Sequence, residues 1–117
     1  MTQITLYHNP RCSKSRQALA LLQEIGVEPT IRLYLQDHPT KEELKTLLAQ
    51  LGTPVRALLR DGEAIYKELD LGRPELSDDE LLQHVVQNPI LLQRPIAVSD
   101  KRAVIARPPE LVLELLA

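Results

Sequence analysis

Ile4-Thr5-Leu6-Tyr7-His8-Asn9-Pro10-Arg11-Cys12-Ser13-Lys14-Ser15 is the stretch from which the fold can be read. Ile4 to Tyr7 is a β-prone run, and His8-Asn9-Pro10 breaks regular structure, so a first strand stops there. Ala18, Leu19, Leu22 and Ile25 then fall at helical spacing, with Gly26 as a C-terminal stop. This spacing predicts a helix from about Ser13 to Ile25 with Cys12 at its N-cap. Thr30 to Leu35 is a second β-prone run. Strand, helix, strand in that order is the signature of a parallel pair joined by a right-handed crossover.

Working outward, Thr40 with Glu43 and Ser77 with Glu80 each match a capping box, so a helix is expected after each. The first carries Leu44, Leu47, Leu48 and Leu51 before Gly52, the second Leu81, Leu82, Val85 and Val86 before Asn88-Pro89. Between them Thr53-Pro54 reads as the start of a short helix ending near Arg60, before the turn formers Asp61-Gly62. Ile96 to Val98 and Ala103 to Ala106 flank the polar turn Ser99 to Arg102, a hairpin, and Pro108-Pro109 opens a last helix.

That order predicts an α/β fold of the thioredoxin-like kind: a mixed sheet of about four strands with flanking helices, and a helical insertion before the closing hairpin. Residues 1–117 are expected to form one domain, with a core of about 1–36 and 89–117 and an insertion of about 37–88. Pro95 stands where such folds carry a cis-proline beside the active cysteine.

With no Phe, no Trp and only Tyr7, Tyr34 and Tyr66 as aromatics, the core must be aliphatic. A net charge of −2 with dispersed Lys and Arg lacks the footprint of a nucleic-acid binder. No apolar run approaches the roughly 18 residues needed to span a bilayer. The first residues lack the basic and apolar regions of a signal peptide, and a cytoplasmic protein is expected.

Cys12 is the only cysteine, and Ser15 stands where a Cys-x-x-Cys motif would hold its second thiol. A thiol at a helix N-terminus is driven toward the thiolate by the unpaired amides and the dipole. The chain therefore reads as a nucleophile whose mixed intermediate is resolved by an outside thiol. His8 is expected to lower the thiol pKa by a positive charge or a hydrogen bond if the loop folds back. Ser15 either hydrogen-bonds the thiolate or caps the helix. Arg11, Lys14 and Arg16 flank the thiol; Lys14 either adds positive potential or, like the other two, is part of a solvated helix start, which explains all three about equally well. His38 and His84 have no carboxylate or thiol at ligand spacing, so no metal is expected.

The segment Tyr7 to Arg16 resembles the active-site segment of the glutaredoxin-dependent, thioredoxin-like arsenate reductases. The similarity continues through Glu28-Pro29-Thr30-Ile31, Val55 to Arg60, Pro89-Ile90-Leu91, Arg94-Pro95-Ile96 and Arg107-Pro108. It implies that Cys12 attacks arsenate, that Arg60, Arg94 and Arg107 bind the oxyanion, and that His8 lowers the thiol pKa. It also implies glutathione as co-substrate, glutaredoxin as partner and no bound cofactor. Guanidinium forks suit a tetrahedral oxyanion, whereas spacing alone does not single out these three arginines. Two alternatives are a glutathione-dependent thiol/disulfide oxidoreductase on the same scaffold and an Spx-like non-catalytic regulator. Spx-type proteins commonly carry the Cys-x-x-Cys switch that Ser15 removes here.

Overall fold

A computed structural model describes residues 3–116, which divide into two compact units. One comprises the chain up to Asp37 together with the segment from Arg94 onward, and the other is His38–Gln93.

The first unit is built on four strands, β1 (Thr5–Tyr7), β2 (Thr30–Arg32), β3 (Ile96–Val98) and β4 (Ala103–Ile105), in the spatial order β2-β1-β3-β4. β1 pairs parallel to β2 with Leu6 opposite Ile31, and antiparallel to β3 with Leu6 opposite Ala97. β3 and β4 form the expected antiparallel hairpin. The sheet is therefore mixed, as the order of elements predicts. Side chains alternate across a strand, so Ile4 and Leu6 share a face. That face joins a buried aliphatic cluster with Ala18 and Leu22 of helix α1 (Ser13–Glu24), Ala97, Ala106, and Val112 and Leu115 of the 3-10 helix Pro109–Leu116. Gly26 ends α1 at φ +85°, which lets the Val27 N–H reach the Leu22 carbonyl at 2.9 Å.

β2 stops at Arg32 rather than reaching Leu35. Its partner β1 ends at Tyr7, where the chain turns into His8-Asn9-Pro10, so residues beyond Arg32 have no strand to pair with. They fold into turns in which the Gln36 and Asp37 N–H groups both donate to the Leu33 carbonyl, at 2.9 and 2.8 Å. The final helix is 3-10 rather than α-helical. The Arg94–Pro95 peptide is cis, as expected, and Arg107–Pro108 is a second cis bond that was not anticipated.

The second unit holds α2 (Lys41–Leu51), α3 (Ala64–Glu68) and α4 (Asp78–Gln87), with 3-10 turns at Val55–Leu58 and Pro89–Leu91. Both predicted capping boxes are present. The short helix expected after Thr53-Pro54 is the 3-10 turn, and α3, five residues long, carries too little periodicity to be foreseen. The expected boundary between residues 88 and 89 shifts to 93/94. Residues 89–93 stay with the helices because Arg60 N–H donates to the Leu91 carbonyl at 2.7 Å and Gln93 N–H to the Leu58 carbonyl at 2.8 Å, around a bridge between Leu59 and Leu92. Among the described residues no helix is long and apolar enough to cross a membrane.

Candidate active site

Cys12 sits at the N-cap of α1 in an extended conformation, half-buried, with no side-chain cap bond at that helix start. Its own amide donates to the Asn9 carbonyl at 3.0 Å, and its carbonyl accepts the Arg16 N–H at 3.0 Å. Burial pushes the thiol pKa up, but the backbone N–H groups of Ser15 and Lys14 and the Arg94 guanidinium outweigh it. The thiol is held below its ordinary value, and thiolate is the nucleophilic form. The first turn of α1 contains no acidic residue to oppose that charge.

Arg94 lies one residue before the cis-proline and faces both the Cys12 sulfur and the Tyr34 hydroxyl. Burial works against its charge, yet these two neighbours hold its pKa above the usual arginine value. Its Nε and Nη1 atoms are buried with no acceptor among the described residues. Donors left open beside a nucleophile suit an oxyanion. Arg107 extends its Nη1 to the Arg94 carbonyl at 3.1 Å and remains exposed. Pro95 is buried, and its carbonyl accepts the Ala106 N–H at 2.8 Å.

The remaining predicted residues behave differently from one another. Lys14 contributes its backbone amide to the thiolate, while its side chain is exposed. Ser15 does not aim its hydroxyl at the sulfur: Oγ accepts the Asn9 N–H at 3.0 Å and lies 2.6 Å from His8 Nδ1. Burial and then the positive charge of Arg16 hold the His8 pKa below the ordinary imidazole value. Its hydrogen bond runs to the Ser15 hydroxyl rather than to the sulfur. Arg60 belongs to the helical unit, where its Nε pairs with Glu63 Oε2 at 3.2 Å. Among the described residues no three His, Cys, Asp or Glu side chains are grouped as metal ligands.

Two residues escaped the sequence reading. Tyr34, fully buried, stands against Arg94 and has its ring centroid 6.5 Å from that of Tyr7. Asn9 organises the loop through its amide, its carbonyl and its Oδ1, which accepts the Arg11 N–H at 3.0 Å. The Asn-Pro dipeptide was a visible signal for such a turn, whereas nothing local marks Tyr34.

The chain is similar along nearly its whole length to known proteins. The ArsC family model matches residues 7–115. Arsenate reductase of Escherichia coli (strain K12) is 46% identical over 116 residues, covering 99% of this chain and 82% of that protein. An uncharacterized Escherichia coli (strain K12) protein, YfgD, is 50% identical over 114 residues, covering 97% and 96%. A solved structure described as arsenate reductase from Vibrio cholerae superposes with a TM-score of 0.95 at 49% identity, covering 97% of this chain and 98% of that one. A thiolate at a helix start beside an arginine with open donors, on this sheet and with these relatives, leads to one assignment: the chain belongs to the ArsC family.

Proposed function

We propose that this protein is an arsenate reductase in which the Cys12 thiolate is the nucleophile and arginines hold the oxyanion. The observation that carries the reading is the pairing of a stabilised thiolate with the open Nε and Nη1 donors of Arg94. In the first step the sulfur attacks arsenic, a sulfur–arsenic bond forms, and one arsenate oxygen leaves as water after taking up protons. Arsenic remains pentavalent. Arg94 offsets the charge on the remaining oxygens, and Arg107, anchored on the Arg94 carbonyl, adds a second guanidinium. The resemblance gives Arg60 the same role.

Glutathione then displaces a second oxygen as water, forming another sulfur–arsenic bond. The thiolate of glutaredoxin attacks the glutathione sulfur. That forms a mixed disulfide and returns the bonding pair to arsenic, which becomes trivalent. Hydrolysis of the remaining sulfur–arsenic bond releases arsenite and restores Cys12. With no second thiol at position 15, the sulfurs that reduce the arsenic come from glutathione and glutaredoxin rather than from this chain.

A steady-state assay with arsenate, glutathione, glutaredoxin and NADPH-coupled glutathione reductase tests the reading. Turnover well above a Cys12→Ser control is expected, and none above it removes the arsenate assignment. The second reading is a glutathione-dependent thiol/disulfide oxidoreductase. It is favoured by the Arg60–Glu63 ion pair, which already engages one of the three guanidinium groups. Reduction of a glutathionylated substrate in the same assay, without arsenate turnover, selects it.

A further inference from the structure

Ser15 is fully buried, and its hydroxyl has two neighbours, the Asn9 N–H at 3.0 Å and His8 Nδ1 at 2.6 Å. A hydroxyl carries one hydrogen and accepts through its lone pairs. The Asn9 amide is a donor and so takes a lone pair. Among the described residues the only acceptor left for the hydroxyl hydrogen is His8 Nδ1. An accepting Nδ1 places the ring proton on Nε2 and leaves the imidazole neutral. An imidazolium would aim two donors at one oxygen and strand the hydroxyl hydrogen away from water.

The same oxygen spans the nucleophile. His8 and Asn9 precede Cys12 in the loop, and Ser15 follows it in the first turn of α1, so Oγ ties loop to helix across the cysteine. The Asn9 carbonyl receives the Cys12 N–H at 3.0 Å, so the tie passes directly to the cysteine backbone. The sulfur is thereby kept where the Lys14 and Ser15 amides reach it.

We propose that Ser15 is a positioning residue for the nucleophile, and that His8 serves Cys12 through the Ser15 hydroxyl as a neutral imidazole protonated on Nε2, not as a cation. The inference rests on the reading of Cys12 as the nucleophile but not on arsenate as its target. The depressed His8 pKa is in keeping with it.

Two measurements on the full chain test it. In nitrogen-15 histidine NMR of the unmodified protein at about pH 7, His8 should show the Nε2–H tautomer; an Nδ1–H tautomer or an imidazolium overturns the proposal. The second is the pH profile of Cys12 alkylation by iodoacetamide. Ser15→Ala should slow alkylation about tenfold below the midpoint, and Ser15→Thr, which keeps the hydroxyl, should restore it. Adding His8→Ala to Ser15→Ala should change the rate by less than about twofold, because both act through one bond. A further drop as large as His8→Ala causes alone overturns the proposal. Alkylation reports the thiolate whatever the substrate, so these results without arsenate turnover would remove the arsenate reading and leave the Ser15 assignment standing.

Discussion

The starts of α2 and α4 are closed, and the start of α1 is open. Thr40 and Ser77 accept the N–H groups of Glu43 and Glu80, both at 3.1 Å, and the two glutamates accept the cap N–H groups in return at 3.0 and 3.1 Å. Acidic residues fill both first turns, and Glu80 is held below the usual carboxylate range chiefly by the Ser77 backbone. At α1, Cys12 occupies the cap with no such bond, and the first turn holds Lys14 and no acid. The unpaired amides of a helix start favour whatever anion stands before them. Two helices supply that anion from their own glutamates, which adds stability; α1 reserves its amides for a thiolate, which adds reactivity.

Four substitutions act on these helix starts and on the arginine beside the open one. Cys12→Ser removes the anion itself and should reduce arsenate turnover by at least about 10³-fold, measured in the coupled assay. Arg94→Lys keeps a charge but loses the fork, and kcat/KM for arsenate should fall by about 10²-fold with the fold intact by circular dichroism. Lys14→Glu makes α1 resemble its counterparts. Melting temperature should hold or rise, since an acid in the first turn contributes about 0.5 kcal/mol, while the alkylation midpoint of Cys12 moves upward. Thr40→Ala opens a closed start; it should cost about 1 kcal/mol in urea unfolding and leave Cys12 alkylation unchanged.

The pH dependence sharpens the same contrast. The folded protein holds the thiol pKa below its ordinary value, so between the folded and unfolded values the unfolded chain binds more protons and stability rises with pH. This contribution is complete above the unfolded value and is lost as pH falls through the folded value. Comparing the unfolding free energy of the unmodified protein and Cys12→Ser across that window should show a difference that grows with pH. A flat difference would mean that the open helix start does not favour the thiolate.

Much of this was legible because it is local. The capping boxes, the hairpin, the Gly26 stop and the cysteine at a helix start depend on hydrogen bonds between residues a few positions apart. The length of β2 was not legible, since Thr30 to Leu35 is β-prone throughout and only the end of β1 at Tyr7 shortens it. Nor was the direction of the Ser15 hydroxyl, because capping, thiolate and loop all offered partners to the same side chain. The resemblance carried Arg94 and Arg107, and the fold gave the first of them its meaning by burying two of its donors unpaired beside the sulfur.

A lone thiol at a helix start without a resolving partner, on a thioredoxin-like order of strands and helices, is written in the order of residues alone. How that thiol is served depends on contacts that only the folded chain makes. The fold brought Arg94 against both Cys12 and Tyr34, lowered the His8 pKa by burial, and turned Ser15 toward the loop. The physical reason is the range of the forces: helix caps and turns are settled within a few residues of chain, whereas desolvation and the meeting of charges distant in sequence exist only once the core has closed.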